Sequence, residues 1–109
     1  MKITKKDTKG FYFISVIGDM EAYDAEQLEV EALNIIKKGR KNIAIDLGRL
    51  DYICSSGLRA LLNVRSGLQK EGGRLVLAGL KDKVLDVFKI SKLLSIFEVV
   101  EKADDISGI

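Results

Sequence analysis

Three short apolar runs recur along the chain: NIAIDL at Asn42–Leu47, RLVLA at Arg74–Ala78 and IFEVV at Ile96–Val100. Each is bounded by turn-forming or charged residues and reads as a short buried strand. Between them apolar residues fall at three- and four-residue steps, the spacing of one helix face. From Asp24 to Lys38 that face holds Ala25, Leu28, Ala32, Ile35 and Ile36. From Ser56 to Lys70 it holds Leu58, Leu61, Leu62, Arg65 and Leu68, and from Lys81 to Lys89 it holds Val84, Val87 and Phe88. Strands separated by single helices need crossover connections, which are right-handed, and so a mostly parallel sheet.

The N-terminal segment follows a different rule. Residues 2–6 and 11–17 (FYFISVI) read as two strands joined by the turn Asp7-Thr8-Lys9-Gly10, an antiparallel hairpin. Asp24 with Gln27 three residues later resembles a capping box, Lys37 and Lys38 suit a helix C-terminus, and Gly39 and Gly72-Gly73 are natural stops. Residues 103–109 read as a terminal helix. The expected fold class is α/β: one domain over residues 1–109, with a mostly parallel four- to five-stranded sheet, an N-terminal antiparallel hairpin strand and helices packed on it. At 109 residues, such a domain buries roughly 65% of its unfolded surface and needs no staple.

Several function classes are disfavoured at once. The chain has no histidine, the commonest general base and metal ligand. Its single cysteine, Cys54, can form neither an internal disulfide nor a zinc site. The net charge of +2 gives no strong pull toward nucleic acid, and the basic run Lys37, Lys38, Arg40 and Lys41 reads as a solvated helix end. No apolar run approaches the ~20 residues of a membrane span. The polar start KITKKDTKG carries no signal-peptide core. These features predict a cytoplasmic protein with no cofactor, no metal and neither nucleic acid nor membrane as partner. Phe88 and Phe97 are expected in the core. The acids Asp19, Glu21 and Asp24 are expected to cap and complement the first helix.

The stretch YICSSGLRALL at 52–62 places a thiol, two hydroxyls and a glycine at the joint between a strand and a helix. In an open parallel sheet, sites gather beyond the carboxyl ends of the strands. One reading makes Ser55 or Ser56 the cap of the helix. Another makes Ser55 a switch, because a phosphate there would meet a helix N-terminus and add a charge of about −1.5 to −2. Gly57, without a side chain, would let a partner approach. Enzyme readings fit less well. Residues 53–57 (Ile-Cys-Ser-Ser-Gly) do not form a Gly-x-Ser-x-Gly elbow, and no histidine completes a triad. Cys54 and Arg59 resemble a cysteine-phosphatase pair, but four residues separate them where that loop has five.

The pieces Gly18-Asp19-Met20-Glu21, IDLGRLDYICSSGL, GGRLVLAGL and VLDVFKISKLL together resemble the STAS domain family, in particular the bacterial anti-sigma factor antagonists. The resemblance implies a non-enzymatic regulator. Unmodified, it would bind an anti-sigma factor that is also a serine kinase, and so release a sigma factor. The kinase would phosphorylate the serine that falls on Ser55, followed by the hydroxyl of Ser56, and a serine phosphatase would reset it. The partner surface implied comprises Gly18, Asp19, Met20, Glu21, Asp24, Cys54, Ser55, Ser56, Gly57 and Leu58, on a monomer or weak dimer. Cys54 stands where the family usually has aspartate. The alternatives are a constitutive STAS scaffold in a signalling assembly or beside a lipid transporter, and a phosphatase using Cys54.

Overall fold

The computed structural model describes residues 1–106. Its elements are β1 (Lys2–Asp7), β2 (Tyr12–Met20), α1 (Ala22–Lys37), β3 (Asn42–Ile53), α2 (Ser55–Lys70), β4 (Arg74–Ala78), α3 (Asp82–Ile90) and β5 (Glu98–Val100), then the 3₁₀ turn η1 (Ala103–Ile106). The terminal helix expected over 103–109 is this single turn as far as Ile106; residues 107–109 lie outside the described residues.

The five strands stand in the order β1-β2-β3-β4-β5. The first pair is antiparallel and the other three are parallel. This sequential order decides where the helices go. Each crossover steps to the next strand in the same direction, and right-handed crossovers then place every helix on one face of the sheet. The two apolar clusters follow this division. The large one joins Ile14, Val16, Ile43, Ile45, Leu47 and Leu77 of the sheet to Leu28, Leu61, Val64, Val84 and Phe88 of the three helices. Phe88 meets Phe97 edge-on, with ring centroids 5.7 Å apart. The small cluster lies on the opposite face, where Phe11, Ala44, Val76 and Ala78 pack with Ile106 and Ala103 of η1, flanked by Phe13 and Val100.

Two strands run further than their sequence suggests, and both extensions shape the site. β2 continues through Gly18 and Asp19 to Met20, with Gly18 at φ +101°, a backbone region costly for other residues. β3 continues past Leu47 to Ile53. The registers Ser15↔Asp46 then Ile17↔Arg49, and Gly18↔Leu50 then Asp19↔Tyr52, each skip a residue on β3, so that strand carries two bulges. At the far end, Arg40 pairs with Asp7, donates to the Thr8 carbonyl at 2.9 Å and lies 5.6 Å from the Tyr12 ring centroid. These contacts tie the hairpin turn to the end of α1. Among the described residues no helix is long and apolar enough to cross a membrane.

Candidate functional site

β2 and β3 end side by side at the carboxyl edge of the sheet. Asp19 pairs with Tyr52 and Met20 with Ile53, and the Cys54 N–H donates to the Met20 carbonyl at 3.1 Å. That hydrogen bond carries the parallel ladder one residue beyond β3, so α2 starts at Ser55 with no intervening loop. The chain leaving β2 turns into α1 immediately as well. Glu21 is the N-cap, and its N–H donates to the Asp24 carboxylate at 2.9 Å. This corrects the expected Asp24–Gln27 box: because β2 reaches Met20, the N-cap falls three residues earlier, on Glu21, and Asp24 becomes the third residue of the helix. The Asp24 carboxylate also lies 3.7 Å from the N-terminal ammonium of Met1.

The expected capping of α2 by Ser55 or Ser56 is likewise replaced. Cys54 is the N-cap and its side chain makes no capping bond. The N–H groups of Gly57 and Leu58 donate to the Cys54 carbonyl at 3.0 and 3.3 Å. Ser55 and Ser56 occupy the first two helical positions, where a backbone N–H has no acceptor within the helix. Both serines are exposed, and so are Asp19 and Glu21.

The structure divides the expected contact residues by depth. Gly18, Asp24 and Cys54 are half-buried. Met20 is fully buried, Leu58 is 8% exposed, and Gly57 is buried. A Cβ at 57 would lie 2.6 Å from Ile53 Cγ1 and 2.8 Å from the Met20 sulfur. The missing side chain therefore faces the core, not an approaching partner, and Met20, Gly57 and Leu58 shape the surface from beneath. Two exposed residues outside the expected partner surface flank the serines. Tyr52, 41% exposed, stands beside Asp19 on the neighbouring strand. Arg59 lies four residues beyond Ser55 on α2, the spacing that puts two side chains on one helix face. The signal for Tyr52 is positional, directly before an apolar strand end, and Arg59, the first charge in α2, is read from sequence only as a phosphatase partner of Cys54.

The site is a surface in which exposed acids and hydroxyls surround two strand ends and two helix starts. It offers no cradle for a reacting phosphate. A phosphatase loop must curl its backbone N–H groups around the anion between cysteine and arginine, whereas every residue between Cys54 and Arg59 is helical here. Among the described residues, no three His, Cys, Asp or Glu side chains converge as a metal site.

Comparison with known proteins places this geometry among relatives. A STAS domain family model matches residues 2–106. BtrV of Bordetella bronchiseptica, named as a candidate anti-sigma factor antagonist, is 42% identical over 104 residues, covering 95% of this chain and 90% of that protein. The anti-sigma-B factor antagonist of Listeria monocytogenes is 31% identical, covering 99% of this chain and 94% of its own length. Among solved structures, the anti-sigma factor antagonist SpoIIAA in its unphosphorylated form superposes with a TM-score of 0.80 at 19% identity, over 99% of this chain and all of that one. Its phosphorylated form, from Bacillus, gives a TM-score of 0.77 at 21% identity and 97% coverage of each chain.

Proposed function

Starting from the STAS domain family, to which this chain belongs, we propose that it is an anti-sigma factor antagonist whose grip on its partner is set by phosphorylation of Ser55. The partner is an anti-sigma factor that is also a serine kinase. It docks on the surface formed by Asp19, Glu21, Tyr52, Ser55 and Ser56, and while it is docked there a sigma factor goes free. The Ser55 hydroxyl then attacks the γ-phosphorus of the kinase's ATP, ADP leaves, and the proton passes to a base on the kinase. A serine phosphatase later removes the phosphate. The chain itself supplies a docking surface and an acceptor oxygen, with no catalytic group of its own, and works in the cytoplasm beside its partners.

The observation that carries this reading is the position of Ser55: exposed, first in α2, and at the carboxyl edge of a parallel sheet. A standard interface buries about 800 Å² on each partner. A dianion forced into such a surface without a partner charge costs several kcal/mol, and every 1.4 kcal/mol is tenfold in affinity. No fold change is needed, which fits the matching of this chain to SpoIIAA in both its unphosphorylated and phosphorylated forms.

The test is incubation of the chain with its kinase partner and ATP, followed by intact mass measurement and mapping of the modified residue. One phosphate on Ser55, absent in Ser55→Ala, supports the switch. A chain that binds the partner but takes up no phosphate would instead be a constitutive scaffold. The substitution of Cys54 for the usual aspartate gives that second reading its one specific footing.

A further inference from the structure

All three helices cover one face of the sheet, and among the described residues η1 is the only element on the other face. Beside η1 that face opens into a groove of about 540 Å³. Its apolar lining comes from Phe11 and Phe13 of β2 together with Ala103 and Ile106 of η1. Phe13 is half-buried, and its ring centroid is 6.5 Å from that of the buried Phe11. One wall is β1, whose Thr4 and Lys6 lie opposite Ser15 and Phe13 in the register. The other wall is η1, which stands on the sheet as a ridge and contributes Asp104. The two walls differ in charge. Lys5 is paired with Glu31 on the helix side of the sheet, whereas the next residue, Lys6, has no ion pair among the described residues. The ridge is acidic, with Asp104 and Asp105 both exposed.

We propose that this open face binds a second copy of the same chain about a two-fold axis, the η1 ridge of each copy seated in the groove of the other. The charge pattern selects this occupant. An anionic ligand would meet the Asp104 wall, and a cationic one would meet Lys6. A surface carrying both signs in the reverse order satisfies both walls, and a two-fold rotation of this same face supplies that order without any further feature. The relief is self-complementary in the same sense, because a ridge beside a groove becomes a groove facing a ridge after the rotation. Lys6 of each copy then meets Asp104 of the other across a floor of Phe13 and Ile106. Ser55 stands at the start of a helix on the opposite face of the sheet, so the pairing is independent of the reading given to that serine and leaves it accessible.

The experiment is sedimentation velocity on the full chain from about 10 μM to about 1 mM, the window in which a weak association shows. The mass is expected to rise from one chain toward two. Lys6→Glu and Asp104→Lys, each at an exposed position, should separately weaken the association at least tenfold, because each homodimer then holds two like-charged contacts. A one-to-one mixture of the two variants should recover it, since each altered position then faces its opposite charge. Phe13→Glu should abolish it, while Glu26→Lys, at an exposed position of α1 on the helix side, should not change it. A chain that stays monomeric throughout, or single variants that do not rescue one another when mixed, overturns the proposal and leaves the groove to a different molecule.

Discussion

Gly57 and Met20 pack so closely that a methyl group at 57 would lie 2.8 Å from the Met20 sulfur, with Cγ1 of Ile53 at 2.6 Å. The first turn of α2 is thereby pressed onto the ends of β2 and β3, and the height of Ser55 above the sheet is set by an absent side chain. Alanine at 57 gains about 1 kcal/mol of helix propensity. It also forces two buried side chains aside, and overpacking of this kind costs about 1–3 kcal/mol. Gly57→Ala is therefore expected to lose about 1 kcal/mol net, seen as a lower urea midpoint at unchanged slope. It should also weaken partner binding by lifting the start of α2.

Cys54 occupies an N-cap without capping. Its backbone is extended and suited to the position, but the thiol makes no bond to the helix N–H groups. A carboxylate there would accept one of them and meet the positive end of the helix dipole, worth about 1 kcal/mol. Cys54→Asp should raise the melting temperature by about 4 °C for a domain of this size. Cys54→Ala, which also lacks an acceptor, should leave it nearly unchanged.

How far the fold and site could be read in advance turns on a few residues. The alternation of β/α elements required a parallel sheet, and the spacing Ala25, Leu28, Ala32, Ile35 marked the buried face of α1 directly. The end of β3 was hidden because its buried residues fall at Leu47, Leu50 and Ile53, three apart. Two bulges insert one extra residue each, so a strand there mimics neither the two-residue period nor a helix. The second strand, read as ending at residue 17, in fact runs on through Gly18 to Met20. Those two hidden ends moved both helix starts: the N-cap positions fell on Glu21 and Cys54, and Met20 and Leu58 fell below the surface. The exposure of Ser55 depends on all of these and is a property of the assembled sheet end.

Tyr52 presents its ring beside Asp19 with 41% of its surface exposed. Tyrosines flanked by polar residues are frequent anchors of protein interfaces, and truncating an anchor commonly costs about 2 kcal/mol of binding. Tyr52→Ala should therefore weaken the partner complex about tenfold or more by calorimetry. As a half-exposed strand residue it should shift the melting temperature little, which separates a binding role from a folding one.

A serine switch that works through charge makes a distinct demand on its mimics. Ser55→Asp adds one negative charge, less than the −1.5 to −2 of a phosphate, so it should reduce partner affinity by about tenfold and short of complete release. Ser55→Asn is nearly the same size and neutral, and its affinity should stay within about threefold of the unmodified chain. Equal losses in the two variants, measured by calorimetry, would assign the effect to bulk and not to charge.

Arg59 gives the phosphorylated form a property that the unmodified form lacks. It lies one turn beyond Ser55, so a phosphate on that serine would sit within reach of its guanidinium and at the positive end of α2. Each of these two attractions is worth a few tenths to about 1 kcal/mol on an exposed helix, so the phosphorylated chain is expected to melt higher than the unmodified one. Arg59→Ala removes one of the two, and should shrink the gap between phosphorylated and unmodified melting temperatures while leaving the unmodified value nearly where it was. Raising the salt concentration should shrink the same gap, since both attractions are exposed and screened within about 10 Å at 0.1 M. A gap insensitive both to salt and to Arg59→Ala would mean that the phosphate is held by something other than the start of its own helix.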